Sequence, residues 1–470
     1  MSLLGKAEAQ ALLNDANLTA DTVRGCADRL TGFLQRDLPP FYRVEQRDNA
    51  TLLIRGSISG LERQTCEPIA RAAQLPRKPI QFFVGSGKWD DEAVLTELRL
   101  HVREERAQPD GVVALEPSAF PKKGTHSRGV ARQWCGRLGT VESCQVGVFL
   151  VYAAKAGYAP LDRQLYRPEE WAQDKARRKK CHVPPKIKFQ EKWQIALDLL
   201  DRSLPDVPHG WIAGDDAVGR VSPFRAKLRS RKERYILDVP CNTLVRDLQK
   251  RRPPRKQAGV GRKREVPFQR ADEWAKGQPP SRWERLTVRD AEKGPLEVEA
   301  MTVLVRTEQE GRVGPEERLV VMRNVGESGI DYALSNAAAD VPLTEMVRAQ
   351  RQRHRIEEFF GAGQGDAGLG HYEVRSWVGW HHHMTLAMVA LWFLSPERRR
   401  VGGENPGGDA LAVASDLHAV TALPGSARRG DRRRGHAGAP TQRGVEDLPR
   451  AQGHREVPAT PSRPRYKLRI

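Results

Sequence analysis

Cysteine is scarce in this chain and follows no recognisable pattern. Six Cys among 470 residues stand at positions 26, 66, 135, 144, 181 and 241. They form no CxxC pair and have no zinc-ligand spacing, which argues against both a structural zinc site and a disulfide framework. We therefore expect reduced, mostly buried thiols, the usual state in the cytosol.

Long apolar runs are also missing. The longest late apolar stretch, MTLAMVALWFL at 384–394, lies between HHH and PERRR and is too short to cross a bilayer, so it is expected to be a buried helix. The N-terminus, MSLLGKAEAQALLNDANLTAD, has no basic start followed by an apolar core and a cleavage site. These features predict a cytoplasmic protein with no membrane partner.

Acidic residues are outnumbered. The chain has 78 Lys and Arg against 59 Asp and Glu, a formal net charge of +19. Such a charge attracts polyanions and raises the rate of encounter with them, so nucleic acid is the predicted partner. The length allows a large core and two or three domains.

The order of segments predicts an α/β protein with a helical start. Residues 1–106 carry helical patterns, such as TADTVRGCADRLTGFLQRDL and DDEAVLTELRLHVREER, and are predicted to form an N-terminal DNA-binding domain. Residues 107–241 then alternate strand-like and helical segments, in the order GVVAL, SCQVGVFLVYAA, the polar ribbon LDRQLYRP, FQEKWQIALDLLDRSL, GWIAGD and RYILDV. A mixed-sheet nuclease core has this order, and so do other α/β domains.

The rest of the chain divides into three predicted parts. Residues 242–343 contain a basic loop and a β-rich insertion, with strand-like LEVEAMTVLVRTE and ERLVVMRN around the turn EGRVGPE. Helices at 344–395 complete the core. Residues 396–470 are predicted to be a disordered tail, since 401–470 hold ten Gly, seven Pro and eleven Arg but one aromatic residue. A shifted reading frame is an alternative origin for this tail.

Three acidic residues are candidate ligands of a catalytic metal ion. Glu116 follows VVAL, Asp215 follows WIAG, and Glu357 lies in RHRIEEFF. An acid directly after an apolar strand lies at the edge of the sheet where open α/β folds bind ligands. Oxygen ligands suit Mg²⁺ or Mn²⁺, and such a trio can support metal-assisted phosphodiester cleavage. For each strand-end acid taken singly, a solvated carboxylate is the preferred interpretation over a catalytic one.

The helix around Glu357 separates it from its neighbour Glu358. Ile356 and Phe359 mark the apolar stripe, and Glu357 lies at the edge of this stripe near Arg353, four residues earlier. Glu358 is predicted to point the other way, into water. The alternative for Glu357 is an exposed pair with Arg353 that only stabilises the helix.

Two basic segments are predicted to contact DNA phosphates. FPKKGTHSRGVARQWCG lies between the first two acids and carries Lys122, Lys123, Arg128 and Arg132. KRRPPRKQAGVGRKR at 250–264 has eight Lys or Arg and no acid, and its Pro and Gly exclude a helix. It is predicted to be a mobile DNA-binding loop that includes Arg251, Arg252, Arg255 and Lys256.

Other conspicuous side chains are assigned to structure. Trp274 and Trp283 are near enough to the basic loop to stack on an unpaired base, but core packing is the preferred interpretation. His381, His382 and His383 are left out of any metal site, since adjacent helical residues point in different directions. They are expected to mark a polar helix start.

The chain resembles the DDE transposases of bacterial insertion sequences, in particular the 701-type group. The matching segments are LEPSAFPKKGTHSRGVARQWCGRLG, ESCQVGVFLVYA, LDRQLYRPEEWAQDKARRKKCHVP, WIAGDDAVG, RYILDVPCNTLVRDL, RHRIEEFF and GLGHYEVRSWVGWHHH. The resemblance extends from about residue 1 to 395. It implies an RNase H-like core, interrupted by a β-rich insertion before the last catalytic acid.

The resemblance also implies an activity. It implies Mg²⁺- or Mn²⁺-dependent cleavage and strand transfer at element ends, on double-stranded DNA, in the bacterial cytoplasm at the nucleoid. A homodimer in a synaptic complex is the implied assembly. The catalytic and metal-binding acids would be Glu116, Asp215 and Glu357, and Arg353 would contact phosphate.

The sequence departs from the family pattern at several places. Glu116 stands where the family has Asp, Gln364 where a Lys is frequent, and Gln350 where a Tyr is expected. The tail replaces the usual helical ending. Two alternatives to an active transposase therefore remain open: a catalytically impaired DNA-binding remnant, and an RNase H-like nuclease acting on branched or hybrid substrates.

Overall fold

The computed structural model describes residues 20–155, 157–174, 188–251, 265–289 and 296–402. Its N-terminal part is helical, as predicted, with α1 Ala20–Asp37, α2 Val44–Ser57, α3 Cys66–Ala72, α4 Arg77–Gly85 and α5 Asp91–Arg106. Asp90 caps α5, because its carboxylate accepts hydrogen bonds from the backbone N–H groups of Glu92 and Ala93 at 3.0 and 3.3 Å.

A meander of strands follows these helices. The strands are β1 Val112–Pro121, β2 Ala131–Cys135, β3 Thr140–Ala154 and β4 Gly157–Leu165. β3 is antiparallel to β1 on one side and to β2 and β4 on the other. The polar ribbon LDRQLYRP therefore lies largely in a strand, because LDRQL pairs with β3 in β4.

The next elements place parallel strands beside β1. They are α6 Glu169–Gln173, α7 Lys192–Ser203, β5 Trp211–Gly214, α8 Asp216–Gly219, α9 Ser222–Ser230 and β6 Tyr235–Asp238. β5 is parallel to β1 and to β6, with Leu115 opposite Gly214 and Gly214 opposite Leu237. β5 and β6 therefore end at the same level of the sheet. β1 continues past this level, and Glu116 is its first residue beyond the Leu115–Gly214 pair.

The β-rich insertion continues this same sheet. It contains β7 Leu244–Asp247, β8 Gln269–Arg270, α10 Ala271–Lys276, β9 Glu284–Arg289, β10 Leu296–Gln309, β11 Arg312–Asn324 and β12 Asp331–Ser335. The strand order is β2-β3-β1-β5-β6-β12-β11-β10-β7-β8, with β4 beside β3 and β9 beside β10. The antiparallel β12–β6 pair joins the insertion strands to the core strands.

The turn between β10 and β11 is tighter than predicted. Glu310 and Gly311 both have positive φ, 52° and 76°, the geometry of a two-residue hairpin turn. Residues from Arg312 onward already belong to β11, so most of the predicted turn EGRVGPE is strand.

Three helices complete the described fold: α11 Leu343–Gln352, α12 His354–Asp366 and α13 Trp377–Gly402. The predicted buried helix at 384–394 is confirmed within α13, where Met384 and Trp392 are buried. α13 extends past the predicted tail boundary at residue 396 and contains Pro396. Within the described residues, no helix combines the length and apolarity needed to span a bilayer.

The sheet has a core on each face. Ile212 packs in the larger core, together with residues of the N-terminal helices, α7, α12 and α13. Trp211 and Ala213 point to the other face and pack with Met346 and Val347 of α11. The chain therefore changes faces at the junction of α11 and α12, and this crossing brings Arg353 and Glu357 to the edge where β5 and β6 end.

The described cysteines are free thiols, as predicted. Cys26, Cys135 and Cys144 are buried, Cys66 is partly buried and Cys241 is exposed. Cys181 lies outside the described residues.

Candidate active site

The first two predicted acids lie side by side on neighbouring strands. Leu115 of β1 is opposite Gly214 of β5, so the residues that follow, Glu116 and Asp215, are neighbours. Glu116 lies within β1 and not at its end, since β1 continues to Pro121. Asp215 directly follows β5 and is the N-cap residue of α8, where its carbonyl accepts a hydrogen bond from the Gly219 N–H at 2.9 Å.

Arg353 connects the third acid to the first. Its Nη1 atom is 3.4 Å from Glu116 Oε2 and 4.0 Å from Glu357 Oε1. Glu357 Oε2 is also 3.1 Å from His354 Nδ1. The structure thus gathers Glu116, Asp215 and Glu357, which are far apart in sequence, at one edge of the sheet.

Glu358 does not face open water as predicted. Its carboxylate accepts a hydrogen bond from Arg355 at 2.6 Å, and its side chain is 33% exposed against 42% for Glu357. The side chains of Glu357 and Glu358 point in different directions, as helical geometry requires, but Arg355 forms an ion pair with the Glu358 carboxylate.

A fourth carboxylate, Asp238, belongs to the site and is absent from the predicted set. It is the last residue of β6, and its Oδ2 lies 3.1 Å from Arg353 Nε. Its Oδ1 accepts a hydrogen bond from Gln350 Nε2 at 2.9 Å. The rule that singled out Asp215, an acid directly after an apolar strand, applies equally to YILD and would have found it.

Burial and mutual repulsion shift the two strand carboxyls toward their protonated forms. Burial raises the pKa of Glu116 to about 8; Arg353 lowers it, while Asp215 and Glu357 raise it further. Burial likewise raises the pKa of Asp215 to about 6, against the lowering effect of Arg353. A local positive charge would favour the ionised forms of both groups.

The other two carboxyls differ from each other. The hydrogen bond with His354 lowers the pKa of Glu357, while burial raises that of Asp238 despite the nearby Arg353. Glu357 is therefore the acid of this cluster that stays ionised most readily.

The donor chemistry of the site fits a hard divalent cation. All candidate ligands are carboxylate oxygens, and Asp215 Oδ1 is buried without a hydrogen-bond partner, as a free ligand atom would be. Their spacing is not that of a ready site, since no three Asp, Glu, His or Cys side chains of the described residues are grouped to hold one ion. Arg353, with Glu116 and Glu357 as partners, supplies the positive charge there instead.

Two of the predicted phosphate-binding residues are engaged inside the protein. Arg128 is fully buried, 5.2 Å from the ring centre of Trp171 and 5.3 Å from that of Trp377. Lys122 donates to the carbonyl of Tyr372 and lies 3.3 Å from the centre of its ring. The prediction that Arg128 presents its charge to DNA is wrong, because aromatic side chains of later segments cover it. Lys122 is only partly buried, so its contact with phosphate stays a prediction.

The other basic residues predicted to contact DNA are either exposed or outside the described residues. Lys123, Arg132 and Arg251 are exposed. Arg252, Arg255 and Lys256 lie outside the described residues. Lys192, at the start of α7, is a basic residue that the sequence did not single out: burial lowers its pKa, and Asp215 is near enough to raise it.

The histidines and tryptophans lie in the protein interior. His381, His382 and His383 are on α13, not at a polar surface, and each has a ring nitrogen 2.9 to 3.1 Å from a backbone carbonyl. Trp274 is buried and donates to Asp247 at 2.9 Å, in agreement with the core assignment, and Trp283 is partly buried against the same cluster.

A mixed sheet that gathers carboxylates from neighbouring strands and from a late helix defines the class of RNase H-like nucleases. Residues 37–295 match the family described as DDE superfamily endonuclease, and the chain belongs to this family. The matched range contains Glu116 and Asp215 and ends before Glu357. Enzymes of this family act on DNA and generally use divalent metals. No curated protein matches the chain.

Family membership confirms the resemblance to DDE transposases and the mixed α/β fold. It also makes the chain a nuclease-type enzyme. The 701-type group and the roles of individual residues stay predictions.

Proposed function

We propose that this protein is a transposase that cleaves DNA at the ends of its own element and joins those ends to target DNA. The observation that carries the proposal is the gathering of Glu116, Asp215 and Glu357 around Arg353 at one edge of the sheet. Family membership supports DNA cleavage, and the resemblance of the sequence motifs to insertion-sequence enzymes adds strand transfer.

The carboxylates have a common task in this proposal. Glu116, Asp215 and Glu357 would hold Mg²⁺ or Mn²⁺, which activates the attacking water or 3′-hydroxyl and stabilises the leaving 3′ oxygen. Arg353 would contact a phosphate of the bound strand through its guanidinium group. The exposed Lys123 and Arg132 would contact flanking phosphates and position the DNA without reading its sequence.

The domain roles and the assembly belong to the same proposal. The helices before residue 107 would bind the element ends, and two copies of the chain would meet in a synaptic complex on double-stranded DNA at the nucleoid. The net charge of +19 supports such a partner, because basic proteins are steered toward phosphate chains.

A cleavage assay tests the proposal. The full chain is incubated with Mg²⁺ and labelled DNA that carries the element ends, and nicked and joined products are resolved. Asp215→Asn and Glu357→Gln should each reduce cleavage by roughly a hundredfold or more, because the ligand set loses a charge. Glu358→Gln is the matched control and should cleave normally, since Glu358 pairs with Arg355. Equal loss in all three variants would contradict the assigned roles.

A second candidate function is a DNA-binding remnant with impaired catalysis. Glu116 favours it, because its side chain is one methylene longer than the Asp of the family and displaces the carboxylate. This candidate predicts an inactive wild type whose cleavage is restored by Glu116→Asp. An active wild type would exclude it. Cleavage of branched or hybrid substrates without joined products would instead indicate an RNase H-like nuclease.

A further inference from the structure

Asp238 uses both of its carboxylate oxygens to hold side chains from the α11–α12 junction. Oδ1 accepts a hydrogen bond from Gln350 Nε2 at 2.9 Å, and Oδ2 lies 3.1 Å from Arg353 Nε. Its side chain is 17% exposed. With Oδ1 in a hydrogen bond and Oδ2 in an ion pair that lacks hydrogen-bond geometry, Asp238 is poorly suited to ligate a metal and well suited to fix the crossing between the two faces of the sheet.

Gln350, which stands where the family pattern has Tyr, fits this arrangement. An amide at this position donates to Asp238 while Arg353, one turn later, reaches the other oxygen of the same carboxylate. The contact on Nε leaves the Nη end of the guanidinium directed at Glu116 and Glu357, 3.4 and 4.0 Å away. Arg353 thereby places a positive charge beside the carboxylates that are the predicted metal ligands.

We propose that Asp238 is a positioning residue that holds Arg353 between Glu116 and Glu357 as a resident counter-ion, which a divalent cation must displace before the ligands can close around it. This inference rests on the proposed metal-dependent function. It explains why carboxylates gathered at one edge do not form a ready three-ligand group within the described residues. Arg353 then leaves Glu116 only when a metal ion enters, and its guanidinium becomes available to DNA.

Arg355 is a matched internal control. It lies two residues after Arg353, in the first turn of α12, pairs with Glu358 at 2.6 Å and has a side chain 23% exposed, against 21% for Arg353. Its partner is outside the acidic cluster, so a metal ion in the cluster should leave Arg355 unchanged.

The first test needs no variant. The full chain is treated with an arginine-specific dicarbonyl reagent, with and without Mn²⁺, and labelling is quantified by peptide mass spectrometry. Mn²⁺ should raise the labelling rate of Arg353 severalfold and leave that of Arg355 unchanged. In Asp238→Asn, the labelling of Arg353 should already be high without Mn²⁺. Unchanged or slower labelling of Arg353 on addition of Mn²⁺ overturns the inference.

The second test measures Mn²⁺ affinity by calorimetry or by the electron paramagnetic resonance signal of free Mn²⁺. Removing a competing charge a few ångströms from the ligands should tighten binding, so Arg353→Gln should bind Mn²⁺ roughly tenfold more tightly than wild type. Arg355→Gln should bind like wild type. Equal or weaker binding by Arg353→Gln, with circular dichroism like that of wild type, contradicts the counter-ion role.

These measurements separate the inference from the proposed function. A wild type that binds no Mn²⁺ contradicts metal-dependent cleavage itself. A wild type that binds Mn²⁺ without any change in Arg353 labelling contradicts only the displacement of Arg353. If Arg353→Gln does not fold, the labelling of the wild type still decides.

Discussion

At the residue scale, burial and mutual repulsion of carboxyl groups make the electrostatics of the site unfavourable. Glu116 and Asp215 are adjacent carboxyls at a partly buried edge, and Arg353 neutralises them incompletely. Functional sites commonly show such strain, because groups arranged to bind a cation repel one another without it.

The raised pKa of Glu116 makes the free energy of unfolding depend on pH, so the electrostatic cost of burying this carboxyl can be measured. Its pKa is raised from 4.5 to about 8 in the folded protein. Between these values the folded state holds a proton that the unfolded state has lost, so stability falls as pH rises through this window, by up to about 1.4 kcal/mol per pH unit. Glu116→Gln should weaken this fall and be more stable than wild type above pH 8 in denaturant titrations with a metal chelator.

The comparison at low pH is the control for this prediction. Below pH 4.5 both states carry a protonated Glu116, so the Gln variant and wild type should have similar free energies of unfolding. A stability gain of equal size at all pH values would show that the effect is not electrostatic.

At the element scale, the position of Asp215 depends on how closely α8 approaches β6. A Cβ atom built on Gly219 would lie 1.9 Å from the carbonyl oxygen of Asp238. This contact leaves no room for any side chain, so the last residue of α8 must be glycine if the Asp215 turn is to lie against the strand that carries Asp238.

Gly219→Ala should therefore destabilise the protein by about 1–3 kcal/mol, since the helix or the strand must move. The free energy of unfolding from denaturant titration checks this value. Gly361→Ala on α12 is the control of opposite sign: a Cβ there meets nothing within 4 Å, and alanine should add up to about 1 kcal/mol through its higher helix propensity. Destabilisation by both changes would contradict the steric argument.

At the scale of the whole molecule, the first and last described helices are joined. Glu397 on α13 is fully buried and accepts hydrogen bonds from Arg29 Nε and Nη2 on α1 at 2.8 and 2.6 Å. Residues 368 positions apart thus share one ion pair. The pair anchors the helical N-terminal segment to α13, which packs on β4 of the sheet.

Glu397→Gln should lower the free energy of unfolding by roughly 1–2 kcal/mol, because it removes the buried carboxylate of a pair whose arginine is 38% exposed and partly screened by water. Glu67→Gln is the matched control, since its pairs with Arg71 and Arg77 are exposed, and it should cost less than about 1 kcal/mol. Equal effects in thermal or denaturant unfolding would show that the Arg29 pair adds nothing beyond surface charge.

Local pattern in the sequence determined most of the elements. The apolar runs VVAL, WIAG and YIL are strands, and the periodic segments before residue 107 are helices, because these patterns depend on neighbours a few positions away. The same local rule placed Glu116 and Asp215 together, since each follows an apolar run that becomes one of two paired parallel strands.

Only the tertiary structure decided which charges meet. The burial of Arg128 between Trp171 and Trp377, the joining of the insertion to the core through β12 and β6, and the hold of Asp238 on Arg353 all depend on contacts between distant segments. Sequence periodicity reports which face of an element is apolar, but not which distant side chain covers it. Three of the acids and the Arg353–Glu357 neighbourhood could therefore be predicted from the chain, whereas Asp238 and the contacts of Arg353 with Glu116 and Asp238 emerged only from the fold.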